Sequence, residues 1–186
     1  MKNDNESADH VVVVPYDVEW PARFESERQW LQPLLAPWLT GDIEHIGSTS
    51  VPGLAAKPVI DMMAPVASLK DARPAIVAAS EAGYLHHPYR ADVMHWFCKP
   101  SPHVRTHHLH LVPRDSPLWR ERLAFRDALR ADPNLAQQYA ALKMQLAAQF
   151  RTDREAYTVA KGPFVQSVLS TVLPSLPPRP DGEAAP

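Results

Sequence analysis

The sequence predicts an α/β (α+β) protein: a small mixed sheet backed by helices, followed in the same domain by a packed helical section at the C-terminal end. Three observations carry this expectation. Two short runs, residues 43–46 and 59–63, are built on β-branched or long apolar side chains and bounded by Gly and Pro, the pattern of strands. Residues 107–112, His-His-Leu-His-Leu-Val, alternate leucines with imidazoles, the two-residue period of a strand with unlike faces. From residue 116 onward, Ser-Pro and Asp-Pro start signals precede apolar side chains spaced three and four apart, as in amphipathic helices.

A chain of 186 residues with 45% hydrophobic and 22% charged residues builds one core without disulfide help. Its formal charge of −2 supplies no general attraction to nucleic acid or anionic membrane, so an anion site has to be local. The lone Cys98 excludes an internal disulfide and a multi-cysteine zinc site. No apolar run is long enough to span a bilayer and residues 1–9 are polar, so a cytoplasmic location without membrane contact is expected. Twenty prolines stand against six glycines. Several prolines crowd residues 174–186, an aromatic-free tail expected to be disordered, and residues 1–10 form a second loose arm. The expected domain is residues 11–173.

Along the chain, Val11 to Val14 form a β-branched run that suits an edge strand or an extended lead-in, ended by Pro15. Asp17 is placed to cap a helix whose stripe is Trp20, Phe24, Leu31, Leu34, Leu35 and Trp38. Pro33 and Pro37 predict a kink or stop near Gln32, and both tryptophans belong to the core. Ser68 followed by Asp71 resembles a capping box, with the helix ending at Ala82 before Gly83. One or two strands are expected within residues 84–97. Cys98 reads as a small buried thiol, and residues 100–105 read as a loop. Two helices follow Ser116 and Asp132, and a last one follows Asp153 with a bend at Gly162-Pro163.

The densest polar segment lies between the first two strands. Gly47 and Gly53 give a permissive backbone, Ser48, Thr49 and Ser50 give three hydroxyls, and Lys57 adds a cation before the second strand. Such a loop can hold a phosphate. It is not a Walker A loop, because Pro52 stands where the second glycine of that motif belongs and no Gly-Lys pair follows Gly53. A structural turn whose hydroxyls cap one another remains the alternative. Val59, Asp61 and Met63 share one strand face, so Asp61 stands beside the loop.

On the later strand, His108, His110 and Val112 share a face opposite Leu109 and Leu111. If that strand lies beside the Asp61 strand, two imidazoles and a carboxylate meet, a donor set that suits Zn²⁺, Mn²⁺ or Fe²⁺ better than Mg²⁺. The other reading is a polar sheet face satisfied by neighbouring hydrogen bonds. His86, His87, His95 and His103 are scattered and receive no role. Arg126, Lys143 and Lys161 lie on successive helices, either as solvated cations or converging on the Gly47 loop to clamp an anion.

The run from His45 to Asp61, His-Ile-Gly-Ser-Thr-Ser-Val-Pro-Gly-Leu-Ala-Ala-Lys-Pro-Val-Ile-Asp, resembles the signature of the GrpB family, which sits within the nucleotidyltransferase superfold. Val14-Pro15-Tyr16-Asp17 with Trp20 and Phe24, the His107 to Val112 run, Phe125-Arg126-Asp127, Tyr139, Leu142-Lys143, Tyr157 and Lys161 are similar to the same family, so the resemblance covers about residues 11–173. It implies a nucleotidyltransferase-like fold. It also implies a Gly-Ser element that holds a triphosphate, matched by Gly47 and Ser48, and carboxylates that hold a divalent metal, matched first by Asp61. Met63 departs from the pattern: it occupies the place of the second carboxylate in Asp-x-Asp, and a thioether is a poor ligand for a hard cation.

These features lead to a nucleotidyltransferase-like enzyme as the first expectation. Gly47, Ser48, Thr49, Ser50, Lys57, Arg126, Lys143 and Lys161 would hold the phosphates of a nucleotide or other phosphorylated small molecule, and Asp61, His108 and His110 a catalytic divalent metal (Mg, Mn or Zn). The alternatives are a non-catalytic module for a nucleotide or coenzyme A-like anion, and a metal-dependent phosphohydrolase on the same histidines. By resemblance, GrpB-like domains joined to dephospho-coenzyme A kinase imply a partner enzyme in coenzyme A metabolism.

Overall fold

The structure, a computed structural model, describes residues 10–175. The expectations for residues 1–9 and for the Pro-rich run from residue 176 lie outside the described residues. In chain order the elements are α1 (Trp20–Leu35), β1 (Glu44–Ile46), a 3-10 turn (Ser48–Ser50), β2 (Ile60–Val66), α2 (Ala75–Glu81), β3 (Leu85–His87), β4 (His95–Pro100), β5 (Arg105–Pro113), α3 (Pro117–Ala131), α4 (Pro133–Gln149), α5 (Arg154–Ala160) and α6 (Gly162–Val172). The strands form one five-stranded sheet in the order β1-β2-β5-β4-β3. β2 and β5 run parallel, and the other neighbours are antiparallel. Mixed sheet, helical backing and helical C-terminal section are therefore as the sequence predicts.

Alternation along the strands divides the interior. Ile60, Met62, Ala64 and Val66 of β2, Leu109 and Leu111 of β5, and Phe97 of β4 pack with Trp20, Leu31 and Leu35 of α1 and with Ala75 and Ala79 of α2. On the opposite face, Ile46, Met63, Trp96, Cys98 and Val112 meet Leu118 and Trp119, so α3 closes that end. A third cluster joins α3, α4 and α6 through Phe125, Leu129, Tyr139 and Val165, and reaches Val51 and Leu54 of the loop after β1. The helical section is thereby packed against the loop that carries the hydroxyls.

Local chemistry explains the helix starts. Ser116 accepts from the Trp119 amide, Asp132 from those of Asn134 and Leu135, and Asp153 from that of Ala156, each a side-chain N-cap. The bend expected at Gly162-Pro163 is a full break between α5 and α6.

Several local expectations are corrected. Of the two readings of residues 11–14 the edge strand does not form and the lead-in remains: Val14 makes an isolated bridge to Ala56, because Pro15 ends the run before a ladder can grow. Helix α1 does not stop near Gln32 but passes through Pro33 to Leu35; so near the C-terminal end, the missing amide costs one bond of the last turns. Asp17 accepts from the Glu19 amide but stands one turn outside a helix whose N-cap is Glu19. Ser68 and Asp71 do bond each other, yet they close a turn ahead of α2. The loop expected over residues 100–105 is shorter by one residue at each end, since β4 continues to Pro100 and β5 begins at Arg105. Trp20 is buried in the core and Trp38 packs against it. Cys98 is fully buried, and burial raises its thiol pKa. No helix among the described residues is long and apolar enough to cross a membrane.

Candidate functional site

The parallel pairing of β2 with β5 sets Asp61 directly beside His108 and Met63 beside His110. Their side chains follow the same alternation that buries Met62 and Leu109 on the far face. His108 Nδ1 lies 2.8 Å from Asp61 Oδ1 and His110 Nε2 lies 3.7 Å from the same oxygen. One donor atom from each of the three residues falls within 4.8 Å of the other two. Gly47 is fitted against this cluster: its φ is +71°, and a Cβ there would stand 2.6 Å from Asp61 Oδ2, so only glycine lets the loop approach the carboxylate.

Burial alone would raise the Asp61 carboxyl, but the hydrogen bond and charge of His108 outweigh it and hold the group well below the usual carboxylate range, with His110 acting in the same direction. Burial pushes His110 down to about 3, and Arg122 adds repulsion. An anionic carboxylate and a neutral imidazole are the protonation states that metal coordination requires. The Nε2 atoms of His108 and His110 are buried and have no hydrogen-bond partner among the described residues. Unsatisfied imidazole nitrogens beside an ionised carboxylate fit a divalent cation.

Met63 is fully buried with Ile46, Met94, Val112 and Trp119. A second carboxylate at this position would sit inside an apolar cluster, away from the cavity where Asp61 lies.

The triad opens on a cavity of about 720 Å³ that Gly47, Ser48, Lys57, Arg126, Lys143 and Lys161 also line. Lys57 and Lys161 lie 5.0 Å and 4.9 Å from the centroid of the Tyr157 ring, and Lys143 lies 4.8 Å from that of Tyr139. Lys143 also donates to the Ala55 carbonyl. Among the described residues, none of these three lysines takes part in an ion pair with a carboxylate. Burial lowers Lys143 to about 7, helped by Lys161 and Lys57, and lowers Lys161 to about 7, helped by Lys57. Lys57 is also lowered, by burial first and against the pull of Asp61. Lysines crowded together with no direct carboxylate partner, and only the more distant charge of Asp61 to offset them, form a site that an anion would stabilise.

A family model described as GrpB protein matches residues 10–171. The chain belongs to the GrpB family. It is 34% identical to the UPF0157 protein YqkA of Bacillus subtilis, a match over 84% of this chain and 46% of that one. Against a UPF0157 protein of Pseudomonas aeruginosa it is 37% identical over 91% of this chain and 70% of the relative. This GrpB chain thus spans about half the length of YqkA. It is also 30% identical to a dephospho-CoA kinase of Mycolicibacterium paratuberculosis, over 83% of this chain and 44% of the kinase. Among solved structures, GrpB from Enterococcus faecalis superposes with a TM-score of 0.79 at 33% identity, covering 88% of this chain and 98% of that one. The Cid1 poly(U) polymerase superposes with a TM-score of 0.53 at 12% identity over 89% of this chain and 53% of the polymerase. That second likeness shows the nucleotidyltransferase fold alone.

Of the GrpB residues singled out in the sequence, Asp61, His108, His110, Gly47, Ser48, Thr49, Lys57, Lys143 and Lys161 meet at one cavity. Arg126 lines it too, but its guanidinium is engaged at 2.8 Å with Glu44 and at 2.8 Å with Asp127. The Thr49 and Ser50 hydroxyls are used within the loop. Thr49 bonds His45 and the Val59 carbonyl, and Ser50 donates to the Gly47 carbonyl at 2.6 Å. Ser50 faces a separate depression rather than the main cavity.

Sequence reasoning missed other residues of the cavity wall: Arg122, Arg105 and Arg154, the tyrosines 139 and 157 as parts of the wall, and His87, Tyr89 and Trp96. For Arg122 a signal existed. It precedes Arg126 by one helical turn and so shares its face.

Proposed function

We propose that this GrpB chain binds a nucleotide or another phosphate-bearing small molecule in the cavity beside Asp61, together with one divalent metal, and transfers a nucleotidyl group there. One observation carries the reading: three lysines without a direct carboxylate partner and a carboxylate–imidazole triad line the same cavity. Asp61, His108 and His110 would be the metal ligands, and this mixed nitrogen and oxygen set favours Zn²⁺ or Mn²⁺ over Mg²⁺. A metal held there would act as a Lewis acid on a phosphoryl oxygen. Lys57, Lys143 and Lys161 would neutralise the phosphates, with Arg126 at the rim fixing Glu44 and the β1 carbonyl of His45. Gly47 and Ser48 would bring backbone and hydroxyl against the anion. No protein nucleophile is needed, because positioning and preorganised charge supply the stabilisation.

A second reading is favoured by a specific observation, the sealed thioether of Met63 in place of a second acid. In it the site binds the anion without turning it over, as an accessory module. The match to a dephospho-CoA kinase supports a partner enzyme in coenzyme A metabolism. A phosphohydrolase would use the same ligands with water as the acceptor.

Thermal shift with ATP, CTP, coenzyme A and divalent metals, each with and without chelator, separates these readings. The enzyme reading expects stabilisation by triphosphate that needs metal and is lost in Asp61→Asn. Stabilisation by anion alone, unchanged in Asp61→Asn, selects the accessory module, and metal-dependent release of inorganic phosphate that disappears in His110→Ala selects the hydrolase. No stabilisation by any anion or metal refutes all three.

A further inference from the structure

The cavity has two chemically unlike ends, and the order of the sheet separates them. The Gly47 loop leaves β1 and Lys57 leads into β2, so the hydroxyls and the three lysines gather at the β1–β2 side. At the other side, His87 of β3 is paired in register with Trp96 of β4, and Trp96 with His110 of β5. From β2 to β3 is three strand spacings, about 14 Å across the sheet.

That far end is aromatic. The His87 and Tyr89 rings lie 5.6 Å and 6.0 Å from Trp96, and Trp96 lies 5.0 Å from His108. The Arg105 guanidinium sits 5.2 Å from the Trp96 ring centroid. Tyr89, on the segment joining β3 to β4, lines the cavity while keeping 43% of its surface exposed. His87 Nε2 is buried without a hydrogen-bond partner among the described residues. These rings, with the Arg105 guanidinium over Trp96 and one unsatisfied nitrogen, offer a flat apolar surface that inorganic phosphate or a sugar phosphate has no face to cover. It matches a heteroaromatic ring, which stacks through its π-face and hydrogen-bonds through its edge.

We infer that the His87–Tyr89–Trp96 wall is a nucleobase subsite, so that the anion held at the lysine end is the polyphosphate of a nucleoside polyphosphate. The base packs against Tyr89, and His87 Nε2 meets a polar atom on its edge. The phosphates extend past His108 and Asp61 towards Lys57, Lys143 and Lys161. This inference rests on the anion-binding reading above and narrows it to one ligand class.

Calorimetric titration of the full chain in Mn²⁺ with tripolyphosphate, and with ATP, GTP, CTP and UTP in turn, tests it. The tightest nucleotide is expected to bind at least about tenfold more tightly than tripolyphosphate. Tyr89→Ala should erase most of that advantage, Tyr89→Phe should keep it, and His87→Ala should weaken the nucleotide alone. Tripolyphosphate should bind equally to all four proteins. Equal affinity of nucleotide and tripolyphosphate for the wild type, or equal weakening of both by Tyr89→Ala, overturns the base subsite and leaves the anion site standing. Failure of every one of these anions to bind overturns both.

Discussion

The two faces of the sheet come from the same strands and share little else. On the face under α1 and α2, Ile60, Met62, Leu109 and Leu111 are buried in an apolar cluster, and the buried imidazoles beside them, His45 and His95, are tied up by Thr49 and by the Leu69 carbonyl. On the other face the next residues along, Asp61, His108 and His110, form a polar cluster, bounded at one side by Met63 and Val112. Each strand thus anchors itself with one set of side chains and presents the alternate set, so a rigid core fixes the position of the polar groups. The contrast also separates two kinds of damage: a change on the first face should cost stability, and one on the second should cost binding.

The largest effect is expected where the two meet. Met63→Asp, which restores the second acid of the Asp-x-Asp pattern, should cost more than the ~2–5 kcal/mol of simply emptying a buried methionine site, because it also buries a carboxylate among apolar groups. Urea denaturation measures this, and a stable variant with an added metal site would break the distinction. On the face under α1 and α2, Leu109→Ala should lose ~2–5 kcal/mol while leaving metal content per folded chain unchanged.

The lysine end should make stability depend on pH. Lys143 and Lys161 release their protons near 7 in the folded chain, against an ordinary 10.5. The unfolded chain therefore binds more protons between about pH 7 and 10, and unfolding free energy should rise with pH across that window. At about 1.4 kcal/mol per pH unit for each of the two lysines the rise is at most roughly 8 kcal/mol across the window, and Lys143→Met should reduce it while the contribution of Lys161 remains. Anion affinity should run the opposite way, highest below pH 7 and weakening as pH climbs through it. A flat stability profile from pH 7 to 9 would contradict the placement of these cations. The smallest effect belongs to the loop. Ser50→Ala should cost ~0.5–1.5 kcal/mol through the lost bond to Gly47 with phosphate affinity unchanged, whereas Ser48→Ala should lower affinity with little change in stability.

Much of this division could be read in advance. The alternation in residues 107–112 placed His108 and His110 on one face, and the Gly and Pro around residues 47–58 marked a loop between strands. That β5 lies beside β2 was only a condition in the sequence, because strand neighbours distant in the chain are chosen by packing rather than local pattern. Helix α1 outran its proline because burial of Leu31 and Leu35 outweighs one lost hydrogen bond. The aromatic wall was hidden for a different reason. Residues 84–97 have no regular period, and Tyr89 reaches the cavity from a connecting segment whose course no local spacing encodes.

Whether the polar face is a metal-assisted anion site is tested most directly by metal analysis of the protein after dialysis against Zn²⁺ or Mn²⁺, repeated with ATP present. One metal per chain is expected for the wild type, lost in both Asp61→Asn and His110→Ala, with ATP affinity falling in step. Retention of the metal by both variants, or ATP affinity indifferent to its loss, would show that the carboxylate and imidazoles serve the sheet and not a ligand.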